Sequence, residues 1–185
     1  MTTTHQLDSE SSAKKILEDK INSCSATVAV MGMGYVGFPL ARAVHQVGYD
    51  VIGFDVDDRK IEMMKRGESF HNHLDDDFFR SLTEADERFE PTSDTSRLKD
   101  ADIILLCVPT PLGKNHEPDL SCVLESARMV SKNMRKGFFC TLLAWSNKHC
   151  TCLKFRWAFV SLLLDQSLLL LLDQFSGQIL HEFQD

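Results

Sequence analysis

The sequence lacks a basic run, an apolar leader and an internal repeat. Its 20 Lys and Arg are outnumbered by 27 Asp and Glu, and the net charge is −7. Nucleic-acid binding depends on clustered Lys and Arg, so we expect no nucleic-acid partner. The N-terminal stretch MTTTHQLDSESSAKK has no apolar core and is not typical of a secretory signal, which predicts a reducing, cytoplasmic location.

Metal ligands in a suitable arrangement are also lacking. Cys150 and Cys152 have the wrong spacing for a zinc knuckle, and no second pair stands nearby. His71 and His73 are interpreted as surface-loop residues, because no neighbouring residue completes a site. We predict no metal site. In a reducing compartment the cysteines are predicted to be free thiols: Cys24, Cys107, Cys122, Cys140, Cys150 and Cys152.

What the sequence does contain is an alternation of apolar runs and helix-like segments. The runs Ala26–Met31, Tyr49–Asp55 and Ile103–Val108 suit strands of a parallel sheet that is buried on both faces. This alternation predicts an α/β fold, a Rossmann-type doubly wound parallel sheet. The helical patterns cover residues 11–23, 35–48, 57–67 and 119–134, with a weaker helix at 75–87 and a short strand within 88–94. Residues 1–13 are predicted to be largely disordered.

Three glycines, Gly32, Gly34 and Gly37, stand between the first strand and the following helix. In this G-x-G-x-x-G spacing the first glycine permits a tight turn, the second lets a pyrophosphate approach the backbone, and the third lets helix and strand pack closely. The helix N-terminus then offers N–H groups to the phosphates. The pattern therefore indicates a dinucleotide-binding loop, with a ligand-free glycine turn as the alternative.

Asp55 ends the second strand, where an acid reaches the ribose hydroxyls of a dinucleotide. Its charge would repel a 2′-phosphate, which favours NAD over NADP. Arg59 and Lys60 could reverse that preference, although Asp57 and Asp58 stand beside them. The alternative is that Asp55 caps the next helix.

A second candidate segment, CVPTP, follows the run Ile103–Val108. Ligands of open α/β sheets lie outside the carboxyl ends of the strands, so Thr110 could offer its hydroxyl to a cofactor. A plain exit from the strand is the alternative. Cys107 is not expected to be a nucleophile, because a cysteine within an apolar run is usually inert.

With both segments in view, residues 14–137 resemble the UDP-glucose/GDP-mannose dehydrogenase family of nucleotide-sugar dehydrogenases. MGMGYVGFPLA is similar to that family's glycine loop, and CVPTPL followed by EPDL resembles the branch that oxidises UDP-N-acetylhexosamines. The resemblance implies an NAD-binding domain. It also implies that the complete enzyme oxidises the C6 alcohol of a UDP-sugar to a carboxylate, in two NAD-dependent steps through a cysteine thioester.

The resemblance further implies which residues hold NAD. The glycine loop would hold the pyrophosphate, Asp55 and Lys60 the adenosine ribose region, and the later loop the cofactor farther along. The predicted NAD-binding residues are Gly32, Met33, Gly34, Tyr35, Val36, Gly37, Asp55, Lys60, Val108, Pro109, Thr110, Pro111 and Leu112.

The resemblance stops near Gly137, where a strand and a Glu-Ser-Thr-type loop are expected and the chain reads FFCTLLAWSNKHC. Residues 138–185 hold seven charged residues, against 40 in residues 1–137. We interpret 138–185 as an atypical, irregular or helical tail, of the kind that a frameshift, retained intron or gene-model error produces. At most, Phe138–Leu143 is expected to fill the next strand position of the sheet.

No residue stands in the context of the family's catalytic Cys, Lys and Asn, so none is assigned a catalytic role. The chain is interpreted as an NAD-binding domain without turnover, or as a non-catalytic regulatory subunit of a full-length enzyme. Attachment to a membrane through the leucine-rich tail is disfavoured, because Asp165 at the bilayer centre would cost about 3 kcal/mol. A UDP-sugar partner and self-association are expected only in a full-length enzyme.

Overall fold

The computed structural model describes residues 3–70, 76–83, 87–112, 118–133, 135 and 139–142. Helices and strands alternate along this part of the chain as predicted. In chain order the elements are α1 (Thr3–Asn22), β1 (Thr27–Met31), α2 (Gly37–Val47), β2 (Asp50–Phe54), α3 (Asp58–Lys65), α4 (Asp76–Thr83), β3 (Phe89–Thr92), β4 (Ile103–Leu106), α5 (Ser121–Asn133) and β5 (Phe139–Leu142). A 3₁₀ helix, Thr95–Asp100, connects β3 to β4.

The described strands form one parallel sheet in the order β3-β2-β1-β4-β5. The chain builds outward from β1 to β3, then crosses back to place β4 on the other side of β1. This is the strand order of the doubly wound dinucleotide-binding fold, and the order reverses between β1 and β4. Met31 at the end of β1 pairs with Phe54 and Leu106, so the carboxyl ends of three strands meet.

The central strands are apolar because helices cover both faces of the sheet. All four residues of β4 are buried, as are the last four of β1 and of β2. Alternating residues of these strands, with Leu98 of the 3₁₀ helix and Val130 of α5, form one core cluster. This core holds the strand ends in a fixed relation, which the candidate site requires.

The prediction of disorder at residues 1–13 differs from the structure, in which α1 begins at Thr3. No glycine or proline interrupts residues 1–22, so nothing in the backbone stops the helix from extending toward the N-terminus. Its last turn is attached to the sheet, since the hydroxyl of Tyr49 donates to the carbonyl of Ile21 at 2.9 Å.

The fourth strand is shorter than predicted and ends at Leu106, not at Val108. Pro109 has no N–H group to donate, so the strand pairing cannot continue through it. β5 lies beside β4, with Ile103 opposite Phe139, so the expected strand within Phe138–Leu143 is confirmed over its middle four residues. The remaining prediction for the tail, residues 143–185, lies outside the described residues.

Candidate dinucleotide-binding site

The glycine loop leaves β1 through a left-handed turn. Gly32 has φ +94°, a conformation that residues with a Cβ rarely adopt. Its N–H donates to the carbonyl of Phe54 at 2.8 Å, which ties the loop to the end of β2. A Cβ on Gly32 would also stand 2.7 Å from the carbonyl oxygen of Cys107. A glycine is therefore required here by both the turn and the neighbouring strand end.

Gly37 is required for a different reason, the close approach of helix α2 to the loop. A Cβ on Gly37 would lie 1.9 Å from the carbonyl oxygen of Gly32 and 3.3 Å from Cβ of Cys107. Without a side chain there, α2 can begin against the ends of β1 and β4. The first and third glycines thus perform the packing roles that their spacing predicts.

Gly34 differs from Gly32 and Gly37, because a Cβ there would meet no atom of the described residues within 4 Å. The packing of these residues therefore does not demand a glycine at this position. Val36, at the N-cap of α2, makes no side-chain capping hydrogen bond. Open space in front of an α-helix N-terminus that no side chain caps is the arrangement that a pyrophosphate requires, so these residues fit the diphosphate of a dinucleotide.

Asp55 is buried at the end of β2, with 5% of its surface exposed. Its Oδ2 accepts from the N–H of Met33 at 2.9 Å and from Nζ of Lys60 at 3.0 Å, and its Oδ1 accepts from the N–H of Asp57 at 3.0 Å. The carboxylate therefore joins the glycine loop to the start of α3. Asp57, not Asp55, caps that helix, by accepting from the N–H of Arg59.

Lys60 lies between this carboxylate and an aromatic cluster. Its Nζ stands 5.9 Å from the ring centroid of Phe70, within the range of a cation–π contact. Phe70 in turn meets Phe38 and Phe79 edge-on, at 6.0 and 4.9 Å, and these two rings stack at 4.0 Å. Lys60 is thus held by an ion pair with Asp55 and by a cation–π contact with Phe70.

The loop after β4 lies directly against the glycine loop. Cys107 and Val108 both approach Gly32, where an added Cβ would be 3.4 Å from Cγ1 of Val108. Leu112 then pairs with Pro118 in an antiparallel bridge, and the N–H of Asp119 donates to the carbonyl of Pro111 at 2.7 Å. Thr110 is half-buried in this loop, while Pro109, Pro111 and Leu112 are exposed.

Burial raises the pKa of the Cys107 thiol to about 12. The thiolate, which is the reactive form, is therefore nearly absent at neutral pH. That Cys107 is not a nucleophile stays a prediction, which this raised pKa favours.

Residues 26–146 match the family model for the UDP-glucose/GDP-mannose dehydrogenase family, NAD binding domain. The match covers most of the chain and includes the glycine loop, Asp55 and the loop after β4. The chain belongs to this family. Its Rossmann fold is the NAD-binding domain of a nucleotide-sugar dehydrogenase, and its cofactor is NAD.

Relatives within the family agree with this assignment. The UDP-N-acetyl-D-mannosamine dehydrogenase of Escherichia coli K12 is 34% identical over 114 residues, 60% of this chain and 26% of that protein. The structure of NDP-N-acetyl-D-galactosaminuronic acid dehydrogenase from Methanosarcina mazei is 30% identical, with a TM-score of 0.60 over 69% of this chain and 30% of the other.

A ternary complex of GDP-mannose dehydrogenase from Pseudomonas aeruginosa is 26% identical, with a TM-score of 0.58 over 63% of this chain and 28% of the other. The chain spans about a quarter of the length of the curated relatives that it matches.

The structure brings most of the predicted NAD-binding residues of this family member to one edge of the sheet. Met33 is an exception, because its side chain is fully buried and points toward Gly53. Only the backbone of Met33 faces Asp55. Tyr35, by contrast, is 57% exposed. The sequence analysis did not identify Asp57 as a helix cap or Phe70 as a contact of Lys60. The position of Asp57 at the start of a helical pattern was a signal for its capping role, whereas the role of Phe70 depends on a tertiary contact.

Metal ligands do not cluster among the residues that the structure describes. The candidates His71, His73, Cys150 and Cys152 lie outside those residues. Within the described ranges, no helix is long and apolar enough to cross a membrane. Cys24, Cys107 and Cys122 are free thiols, as predicted.

Proposed function

We propose that this chain binds NAD in front of the Gly32–Gly37 loop. The observation that supports this best is the contrast among the three glycines: two are required by the protein's own packing, whereas the third faces open space. A ligand that approaches the backbone closely accounts for the third. In the proposed complex the N-terminus of α2 stabilises the pyrophosphate charge.

Asp55 and Lys60 are proposed to hold the adenosine ribose. Among the described residues, Oδ1 of Asp55 accepts one hydrogen bond, which leaves acceptor capacity for a ribose hydroxyl. Lys60 holds the carboxylate in position through its ion pair with Oδ2 at 3.0 Å. Val108–Leu112, with the hydroxyl of Thr110, is proposed to line the cofactor farther along.

In a full-length enzyme, the bound NAD is proposed to accept hydride while a UDP-sugar is oxidised. The proposed UDP-sugar is a UDP-N-acetylhexosamine. This follows the substrate named for the relatives at 33–34% identity. We propose that residues 1–185 alone do not turn over, because no residue matches the context of the family's thiol nucleophile. Self-association through other parts of a full-length enzyme is proposed from the family resemblance. A cytoplasmic location is proposed because Cys24, Cys107 and Cys122 are free thiols, as a reducing compartment would keep them.

Titration calorimetry of the full chain with NAD tests the binding proposal. Gly34→Val should abolish binding, because its side chain enters the proposed path of the pyrophosphate. It should leave Tm close to that of the wild type, because the described residues leave open space around the new Cβ. Asp55→Ala should weaken NAD binding about tenfold or more, the loss expected for hydrogen bonds to a charged group. Asp58→Ala, which removes an exposed acid from the first turn of α3, is the matched control. Unchanged NAD affinity in both Gly34→Val and Asp55→Ala would contradict the proposed site.

A further inference from the structure

We infer that Asp57 is a second determinant of the preference for NAD over NADP, because it holds Arg59 away from a 2′-phosphate. This inference rests on the proposed NAD site. NADP differs from NAD by a phosphate on the 2′-hydroxyl of the adenosine ribose, which the doubly wound fold places at the end of β2. Discrimination must therefore come from charged groups near Asp55.

Asp55 by itself is a weaker barrier to a phosphate than its place in the sequence suggests. The carboxylate is buried, and its charge is met by the Lys60 ammonium at 3.0 Å and by two backbone N–H groups. A carboxylate that is already paired repels an incoming anion less than a free one would. A second group must therefore keep a nearby arginine from binding the 2′-phosphate.

Arg59 is that arginine, four residues after Asp55 in the first turn of α3. Its side chain is 90% exposed, so solvent and ligands can reach it. The guanidinium fork matches phosphate oxygens two at a time, and arginine is the residue that commonly accommodates a 2′-phosphate. Considered without its neighbours, Arg59 would favour the binding of NADP.

Asp57 occupies the fork. Nε of Arg59 donates to Oδ1 of Asp57 at 3.1 Å, and Nη2 donates to Oδ2 at 3.0 Å. These bonds hold the pKa of Asp57 below its usual range, so the acid is ionised at neutral pH. A phosphate would have to displace a bidentate carboxylate and approach a second negative charge, whereas the 2′-hydroxyl of NAD has neither cost.

Asp57 is itself held in place. Its N–H donates to Asp55, and its Oδ1 accepts from the N–H of Arg59 as the N-cap of α3. An asparagine also caps helices well, so Asp57→Asn keeps the cap and removes the charge. This substitution separates the proposed effect on specificity from the structural role of the residue.

The test is a double-mutant cycle on the full chain, with Asp57→Asn, Arg59→Gln and the double variant titrated with NAD and with NADP. Asp57→Asn should tighten NADP binding about two- to fivefold, the range of exposed ion-pair couplings. NAD affinity should stay within about twofold. The gain in NADP affinity should disappear in the double variant, a dependence on Arg59 that a structural role alone would not produce.

Glu68→Gln is the matched control, since Glu68 holds Arg66 in the same two-residue, bidentate manner at the other end of α3. It should leave the NADP affinity unchanged. An unchanged NADP affinity in Asp57→Asn, or a gain that persists without Arg59, would overturn the inference while the NAD site stands. Failure of the wild-type chain to bind NAD would instead overturn the proposed function, and this inference with it.

Discussion

Substituting alanine for Gly34 or for Gly37 should change the free energy of unfolding in opposite directions. At Gly34 the new Cβ meets no atom of the described part of the chain within 4 Å, and the backbone is not left-handed. Alanine there should raise the free energy of unfolding by about 0.4–1 kcal/mol, because it restricts the unfolded chain. The same methyl group should reduce the affinity for NAD, because it enters the proposed path of the pyrophosphate.

At Gly37 the methyl group has no room. Its Cβ would be 1.9 Å from the carbonyl oxygen of Gly32, whereas Cβ atoms in proteins stay at least 3.0 Å from other heavy atoms. The Cβ and this oxygen must therefore move apart by about 1.1 Å (3.0 − 1.9). The oxygen belongs to the backbone, and Gly32 is hydrogen-bonded to the end of β2, so it cannot move easily. We expect a loss of about 3 kcal/mol, the upper end for overpacking, and a Tm about 10 °C lower.

Thermal and urea unfolding of Gly34→Ala, Gly37→Ala and the wild type, followed by circular dichroism, measure these changes. Calorimetry with NAD then separates the two losses of binding, because Gly37→Ala should lose affinity together with stability and Gly34→Ala without it. Equal stability of the two variants would refute the packing argument. A Gly34→Ala variant with full NAD affinity would refute the assignment of that space to the ligand.

Two further predictions concern Asp102 and Cys107. Asp102 is buried and accepts from Lys20 at 2.8 Å and from Thr27 N–H at 3.1 Å, so Asp102→Asn should lower the free energy of unfolding by about 2 kcal/mol near neutral pH. Burial alone would raise the pKa of Asp102, but Lys20, Arg135 and the N–H of Thr27 lower it below its usual 3.8. The difference from wild type should therefore persist above pH 3.8 and shrink as the pH falls below it; a pH-independent difference in urea titrations would contradict this. Cys107, with its pKa near 12, should resist alkylation by iodoacetamide at pH 7.5 in the folded chain and react after unfolding. Mass spectrometry that found it modified as fast as a model thiol would contradict the raised pKa.

Several features of this protein follow from the sequence by local rules. The apolar runs identify β1, β2 and β4, because strands that are covered on both faces can hold few polar residues. Gly48 ends α2 at φ 113°, a left-handed conformation that glycine adopts readily, and Pro39 lies in the first turn of α2, where no N–H is needed. Each feature depends only on neighbouring residues, so its signal is complete within a short window.

Other features were decided only by the tertiary structure, since they join residues far apart in the chain. Lys20 meets Asp102 across 82 positions, and Asp55 meets the N–H of Met33 across 22. The carbonyl of Cys107 likewise limits the space at Gly32, although the two residues belong to distant segments of the chain. Such contacts depend on distances in the packed fold, which residue types and spacing do not specify.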